Sequence, residues 1–366
     1  DHLREWRWVD SAGYTLPFNP VVPGDSANQP LPPMLQGYAN SDNAIQTARA
    51  TLFVQRELNF SLHHKADFKI LLGVRGQLYH SSLNDHFSSL LPSPRISISC
   101  KPYWKEDILF RLAGGVYLQP PFYREYRRAD GILDENLEAQ KSYQAIASAD
   151  WNMQLFNKPF KLTGDVFYKY IDDLVPYTID NLRLRYEPDK QAVGYAAGIS
   201  LRLNGELVEG LESWASLSLM RTREDIVGDS LGWQPRPTDQ LVSFKVFLQD
   251  NIPQIPWWRM SLSVIYGSPL PIQVPGEERR LDPLRMPSYF RVDWGNTVQL
   301  ASFEALKHKA LFRHIKDIHI GLEVFNLLNY RNVISYLWVS DYEGHPYRVP
   351  NYLTARQLNL KVTVLL

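Results

Sequence analysis

Apolar and polar residues alternate along this chain with a period of two, over stretches longer than most strands of soluble proteins. From Lys141 to Leu155, the residues Tyr143, Ala145, Ala147, Ala149, Trp151, Met153 and Leu155 alternate with Gln144, Ser148, Asp150, Asn152 and Gln154. Successive strand residues point to opposite faces, so this spacing predicts one apolar and one polar face. The pattern recurs at Leu162, Gly164, Val166, Tyr168 and Tyr170, again at Phe290, Val292, Trp294, Val298 and Leu300, and finally at Leu358, Leu360, Val362, Val364 and Leu366. Soluble strands usually run about five or six residues, whereas a tilted strand needs about nine to eleven to cross a bilayer. Length therefore favours strands that span a membrane.

Marking every such stretch predicts about fourteen strands, and the connections between them sort by parity. Long ones fall near residues 11–42, 81–93, 119–140, 173–190, 223–238, 269–287 and 329–352. Short ones fall near 61–66, 102–106, 156–159, 204–209 and 251–256, with a longer exception near 303–316. An antiparallel outer-membrane barrel keeps short turns in the periplasm and long loops outside the cell. The first strand then runs outward, and the last, ending at Leu366, runs back. Tyr103, Trp104, Phe156, Phe160, Trp257 and Trp258 stand beside the short turns, where amphipathic rings would meet the membrane interface.

Composition changes this picture little. The chain has 366 residues, 13% aromatic and 21% charged, with a formal net charge of zero, which excludes a disordered tail and a basic nucleic-acid binder. No apolar run approaches the roughly 20 residues of a spanning helix, a test to which barrels are blind because their two faces average out. Cys100 is the single cysteine, so it is read as a packing residue without disulfide or metal cluster. The N-terminal DHLREWRWVDSAGY has no basic-then-apolar leader, and it already reads as a strand, so the chain is expected to begin within a longer protein.

Several stretches resemble the C-terminal barrel of TonB-dependent receptors of the Bacteroidetes type, the group fused to a carboxypeptidase-like N-terminal domain. They are QPPFYRE at Gln119 to Glu125, PYTIDNLRLRY at Pro176 to Tyr186, GYAAGISLRLNGE at Gly194 to Glu206, PRPTDQ at Pro235 to Gln240, and VFNLLNYRNVISY at Val324 to Tyr336 followed by VPNYLTARQLNLKV. The resemblance implies one barrel domain over residues 1–366, all-β and antiparallel, contributing about fourteen of 22 strands, with the plug and the first strands upstream. It also implies active uptake of a bulky nutrient, driven by the TonB–ExbB–ExbD complex through the plug. Insertion by the barrel-assembly machinery, contact with outer-membrane lipid and a surface lipoprotein co-receptor belong to the same picture. The family usually ends in an aromatic residue, where this chain has Leu366.

Candidate chemistry is sparse. Gly228-Asp229-Ser230-Leu231-Gly232 satisfies G-x-S-x-G, but a nucleophile elbow needs a helix after the serine, and Pro235 and Pro237 prevent one. It is read as a glycine-rich outer loop, and no catalytic residue, metal or cofactor is assigned. Asp172 and Asp173 would point to opposite faces, and Glu277-Glu278-Arg279-Arg280 reads as solvated loop charge. His63-His64, His308, His314 and His319 match no zinc spacing. The basic segment Lys307 to Lys316 suits a solvated turn or, less simply, a short helix at lipid head groups.

Ligand recognition is assigned to the long loops. Tyr123, Arg124, Tyr126 and Arg127 (with Arg128) in one, and Tyr177, Arg183, Arg185 and Tyr186 in another, offer stacking and hydrogen bonds to a glycan, a metal chelate or a peptide. QPPF serves equally well as a structural clasp on the rim. Two other readings remain open from the residues: a passive porin-like channel of about fourteen strands, and a soluble β-rich adhesin or carbohydrate-binding protein.

Overall fold

The computed structural model describes residues 2–10, 35–83, 89–128, 130–155, 157–180, 182–208, 211–252, 255–274, 283–300, 317–340 and 346–365. The first third of the chain forms β1 (His2–Asp10), β2 (Leu35–Ala44), β3 (Thr47–Leu62), β4 (Ala66–Ser81), β5 (Ser89–Pro102) and β6 (Asp107–Gln119). The middle forms β7 (Gln140–Leu155), β8 (Lys158–Leu174), β9 (Tyr177–Asp180), β10 (Arg183–Tyr186), β11 (Ala192–Val208), β12 (Leu211–Ile226) and β13 (Gln234–Pro235). Then come β14 (Val242–Ile252), β15 (Ile255–Gly267), β16 (Pro271–Ile272), β17 (Leu284–Arg285), β18 (Tyr289–Gln299), β19 (Asp317–Phe325), β20 (Val333–Ser340), β21 (Pro346–Tyr352) and β22 (Gln357–Leu365). No helix occurs among the described residues.

One antiparallel sheet carries the long strands in the order β3-β4-β5-β6-β7-β8-β11-β12-β14-β15-β18-β19-β22, with β13 added beside β12. The remaining strands are hairpins set in the long connections: β9 with β10, β16 with β17, and β20 with β21. β1 pairs with β2 from His2↔Ala44 onward, and β2 leads into β3 with only Ile45 and Gln46 between them. The expected parity holds among the described residues, since the hairpins lie at one end of the sheet and turns as brief as His63 to Lys65 lie at the other, while the longer connection between β18 and β19 falls outside the described residues.

Register fixes the faces. Val54 pairs with Val74 and Val74 with Pro94, and Tyr143 with Tyr170 and Tyr170 with Tyr195, so apolar residues form rows across one face. Arg95 lies between Gly73 and Gly115, and Asp150 beside Thr163, on the other. Leu52, Leu112, Val166, Ile199 and Leu358 are all exposed on the apolar face, which water would not tolerate over so continuous a surface. On the polar face Asp150 is nearly buried, accepting from Thr163 at 3.0 Å, facing Lys161 at 3.1 Å and bonded to Arg111.

Several placements depart from expectation: β2 lies mostly within the connection expected near 11–42, β1 pairs with β2 and not with the wall, and β5 starts early. β5 begins at Ser89, inside the stretch 81–93 expected as a long connection. β6 pairs with β5 only from Arg95 to Cys100, so Pro92 and Pro94 lie along a segment bonded to β4 alone. A strand edge is where a residue without an N–H is tolerated. Gly198 shows how closely the wall is built: a Cβ there would stand 2.4 Å from the Leu219 carbonyl oxygen and 2.8 Å from the Phe167 ring.

Candidate functional site

The connection of residues 120–139 folds back on the rim of the wall. Pro120 and Pro121 are buried, and the Tyr79 hydroxyl reaches the Pro121 carbonyl at 3.4 Å and the Tyr126 hydroxyl at 3.1 Å. Glu125, only 4% exposed, accepts from the Phe122 N–H at 3.1 Å and from Gln140 Nε2 at 3.0 Å. Burial raises the Glu125 carboxyl above its usual range, because its charge has lost water and gained only neutral donors. Burial, followed by the bond to Tyr79, holds the Tyr126 phenol far above its ordinary value. QPPFYRE is therefore a clasp.

Two further connections meet the first. The Tyr186 ring stands edge-on to Phe122 at 5.5 Å and lies 5.9 Å from Tyr177. Arg236 places its guanidinium over the Tyr177 ring at 5.4 Å and donates through Nε to Glu224 at 3.1 Å. Asp239, from the same PRPTDQ segment, accepts from the Thr222 N–H and from Arg285, both at 2.9 Å. Between these segments lies a cavity of about 70 Å³, lined by Pro176, Ile226, Gln234, Ile272, Val274 and Leu284 among others. Gln234 Oε1 is buried without a partner there, so the cavity offers apolar walls and one free acceptor.

The structure brings most of the expected ligand residues into this rim and divides their surroundings. Tyr123 and Arg124 are exposed, Tyr126 is buried in the clasp, and Arg127 is half-buried. Burial, and after it the charge of Arg185, lowers the Arg127 guanidinium from its usual value, which places these two cations near each other across the two loops. Tyr177 and Tyr186 are half-buried in the ring cluster, while Arg183 is exposed at the tip of the β9–β10 hairpin. Glu224 and Gln234, the most deeply buried polar residues of the rim, escaped the reading of the loops. Glu224 falls on the polar-face parity of β12, a signal that a count of faces would have caught.

Aromatics at the short-turn end fall into two groups. Trp104 is exposed and stands edge-on to Phe110 of the apolar face at 5.8 Å, and Tyr103 donates to Asp67 at 2.5 Å. Trp257 and Trp258 stack at 6.4 Å, and Trp258 Nε1 donates to Asn296 at 3.0 Å. Phe160 is buried instead, its ring occupying the space a Cβ at Gly205 would fill. Phe156, His308, His314, the basic segment around them and Glu277 to Arg280 lie outside the described residues. A second aromatic row, Tyr143, Tyr168, Tyr170 and Tyr195, crosses the apolar face near the long loops. Eight residues separate Tyr143 from Trp151, about 26 Å along a strand, comparable with the apolar band of about 25 Å in outer-membrane barrels.

Among the described residues no group of side chains could hold a metal ion. Gly228 and Ser230 adopt left-handed backbone, and β13, a strand, follows them, so the G-x-S-x-G segment is a turn.

A sheet of long antiparallel strands, apolar on one face, polar on the other and looped at one end, has the form of an outer-membrane barrel wall. The chain belongs to the TonB-dependent receptor-like β-barrel family, which it matches over residues 3–327. It is thus an outer-membrane protein, of a family of receptors and not of enzymes. Its fold resembles the ferric-catecholate import receptor Fiu of K12 E. coli in closed form, at 13% identity and a TM-score of 0.58, covering 89% of this chain and 46% of that one. FpvA of P. aeruginosa, solved with a heterologous pyoverdine and iron, gives 12%, 0.60, 90% and 40%, and the copper transporter OprC gives 11%, 0.57, 89% and 48%. The chain spans less than half the length of these structures. No curated protein matches it in sequence.

Proposed function

We propose that this chain is the wall and outer-loop portion of a receptor for active uptake of a bulky nutrient. The observation that carries this reading is the joining of a membrane wall to a rim whose loops interlock around aromatic and cationic groups. Tyr123, Arg124, Arg127, Tyr177, Arg183, Arg185 and Tyr186 would contact ligand from that rim, with Tyr126 anchoring their loop to Tyr79. Residues 1–366 act as one barrel unit, completed to 22 strands and a plug by the rest of the receptor. TonB, with ExbB and ExbD, would drive that plug. Tyr103, Trp104, Trp257 and Trp258 would hold the periplasmic interface of the membrane, and the barrel-assembly machinery would insert the wall. The sequence motifs favour the carboxypeptidase-like-domain-fused group of Bacteroidetes, in which a surface lipoprotein co-receptor also fits.

Family membership favours an energised receptor over a passive channel, and the continuous apolar face argues against a soluble adhesin. The test is a strain in which the parent gene is deleted, compared with one lacking TonB, on limiting single nutrients. The two strains should share a growth defect on one nutrient. A defect in the first that is absent from the second would overturn energised uptake. Extraction of the protein into buffer without detergent, as a folded monomer, would overturn the barrel itself.

A further inference from the structure

Three arginines on the polar face of the first strands have no acid beside them among the described residues. Arg49 of β3, Arg75 of β4 and Arg95 of β5 line a cavity of about 360 Å³, together with Gln77, Ser93 and Tyr117. That volume falls within the range of small-molecule sites, about 300–1,000 Å³. All three arginines are exposed to it. Arg75 donates to Gln77 Oε1 at 3.1 Å and Arg95 to Gln55 Oε1 at 3.4 Å, while Arg49 stands over the Tyr79 ring at 5.3 Å. Among the described residues none of the three pairs with a carboxylate.

The contrast with the short-turn end of the same strands is sharp. There Glu57 is matched by Lys69 at 2.8 Å, and Asp107 by Lys101 at 2.9 Å. Acid and base are balanced near the periplasm, and the surplus of positive charge lies in the half nearer the loops.

The wall is also shaped around the central arginine. Arg95 stands in register with Gly73 on one side and Gly115 on the other. A Cβ at Gly73 would meet Arg95 Nε at 2.9 Å, and one at Gly115 would meet Arg95 Cβ at 3.1 Å. Two missing side chains thus form the trough in which the stem of Arg95 lies. Phe122 of the loop clasp borders the same cavity.

We propose that this basin binds a multiply anionic group of the transported ligand, two or more carboxylates or phosphates a few ångströms apart. The inference rests on the receptor reading above and gives that ligand its charge. Guanidinium forks bind carboxylate and phosphate oxygens in pairs, and such charge-assisted bonds are about twice as strong as neutral ones. Low dielectric walls focus the field of three like charges toward the entrance. A neutral glycan would leave the three cations uncompensated.

The test is calorimetric titration of the whole purified receptor in detergent, with citrate and with pyrophosphate as probes. Wild type should bind at least one of them, more weakly as salt rises from about 50 to about 500 mM. R75Q/R95Q should weaken binding by about tenfold or more, R75K/R95K by less, and R221Q on the far part of the wall not at all. Heat-dependent migration in detergent gels reports whether each variant is folded, and if R75Q/R95Q is not, the graded losses of R75Q and R95Q alone decide. Equal affinity in wild type and folded variants, or no binding of either probe, would overturn the basin while leaving the receptor reading intact. Binding that appears only when the plug is removed would also overturn it, because the arginines would then be answered by acids of the receptor itself. A protein that needs no detergent would instead defeat the receptor reading.

Discussion

The wall and the rim of this protein are stabilised in opposite ways. Along β7 from Tyr143 to Trp151, every second residue repeats the same environment, and each cross-strand pair adds a small increment of roughly 0.2–1 kcal/mol. In the rim the environments do not repeat. Glu125, Glu224, Asp239, Asn326 and Asn332 are each 4% exposed or less, and each is satisfied by a few contacts of its own. Redundancy lets a wall strand lose one contact and persist. A rim that depends on single buried polar groups cannot, and that is the cost of placing specific shape at the end of a generic scaffold.

Glu224 tests this most severely. Its partner Arg236 is 14% exposed and Glu224 itself 2%, so Glu224→Ala would leave a guanidinium over Tyr177 with its carboxylate gone. Removing one member of a buried pair costs about 3–5 kcal/mol, and the loss should appear as faster hydrogen exchange across residues 227–241, with β14 unchanged. Exchange that stays slow in that segment would mean that the rim is as redundant as the wall.

In the wall, the face decides rather than the individual contact. Leu217 and Ser218 are neighbours on β12, with Leu217 in register with Leu201 on the apolar face and Ser218 with Ser200 on the polar one. Leu217→Arg should cost about 2–4 kcal/mol near the middle of the bilayer, read as a lower urea midpoint in liposomes. Ser218→Arg should cost much less, because it faces the lumen. Equal costs would contradict the assignment of faces.

Gly198→Ala probes the spacing of strands, with a smaller effect. The added Cβ would need to part β11 from the Leu219 carbonyl, and overpacking of this kind costs about 1–3 kcal/mol. Gly76→Ala, whose Cβ would meet nothing closer than Leu90 Cδ1 at 3.6 Å, is the matched control. Thermal unfolding in detergent should separate the two.

What the sequence revealed divides along the same line. The long antiparallel strands and their faces could be read because each wall residue repeats one partition between lipid and water, so errors at single positions average out, although β1, expected as the first wall strand, pairs only with β2. Rim contacts join residues far apart, Asp239 to Arg285 and Tyr79 to Tyr126, and no period links them. Phe160 shows the limit within the wall: beside a short turn it reads as an interface ring, and only the register with Gly205 of β11 shows the space that takes it in. Asn326 and Asn329 of VFNLLN adopt left-handed backbone, and Asn332 bonds both the N–H and the carbonyl of Phe290 at 2.9 Å. The motif could be recognised, but its work as a turn that imitates a strand could not.

The smallest effect expected is one of pH, in the clasp. Burial raises the Glu125 carboxyl above its ordinary value of 4.5, so the folded clasp favours the neutral acid. A group raised in this way contributes stability fully below its ordinary value and loses that contribution as pH rises through the raised one. Residues 120–139 should therefore exchange amide hydrogens faster, after correction for intrinsic chemistry, as pH rises from about 4 to about 7.5. Glu125→Gln keeps an acceptor for the Phe122 N–H but cannot ionise, so its clasp should show no such trend. A wild-type clasp as flat as the variant would show that Phe122 and Gln140 compensate the charge fully. The rim would then tolerate a buried carboxylate at this site without the sensitivity expected at Glu224.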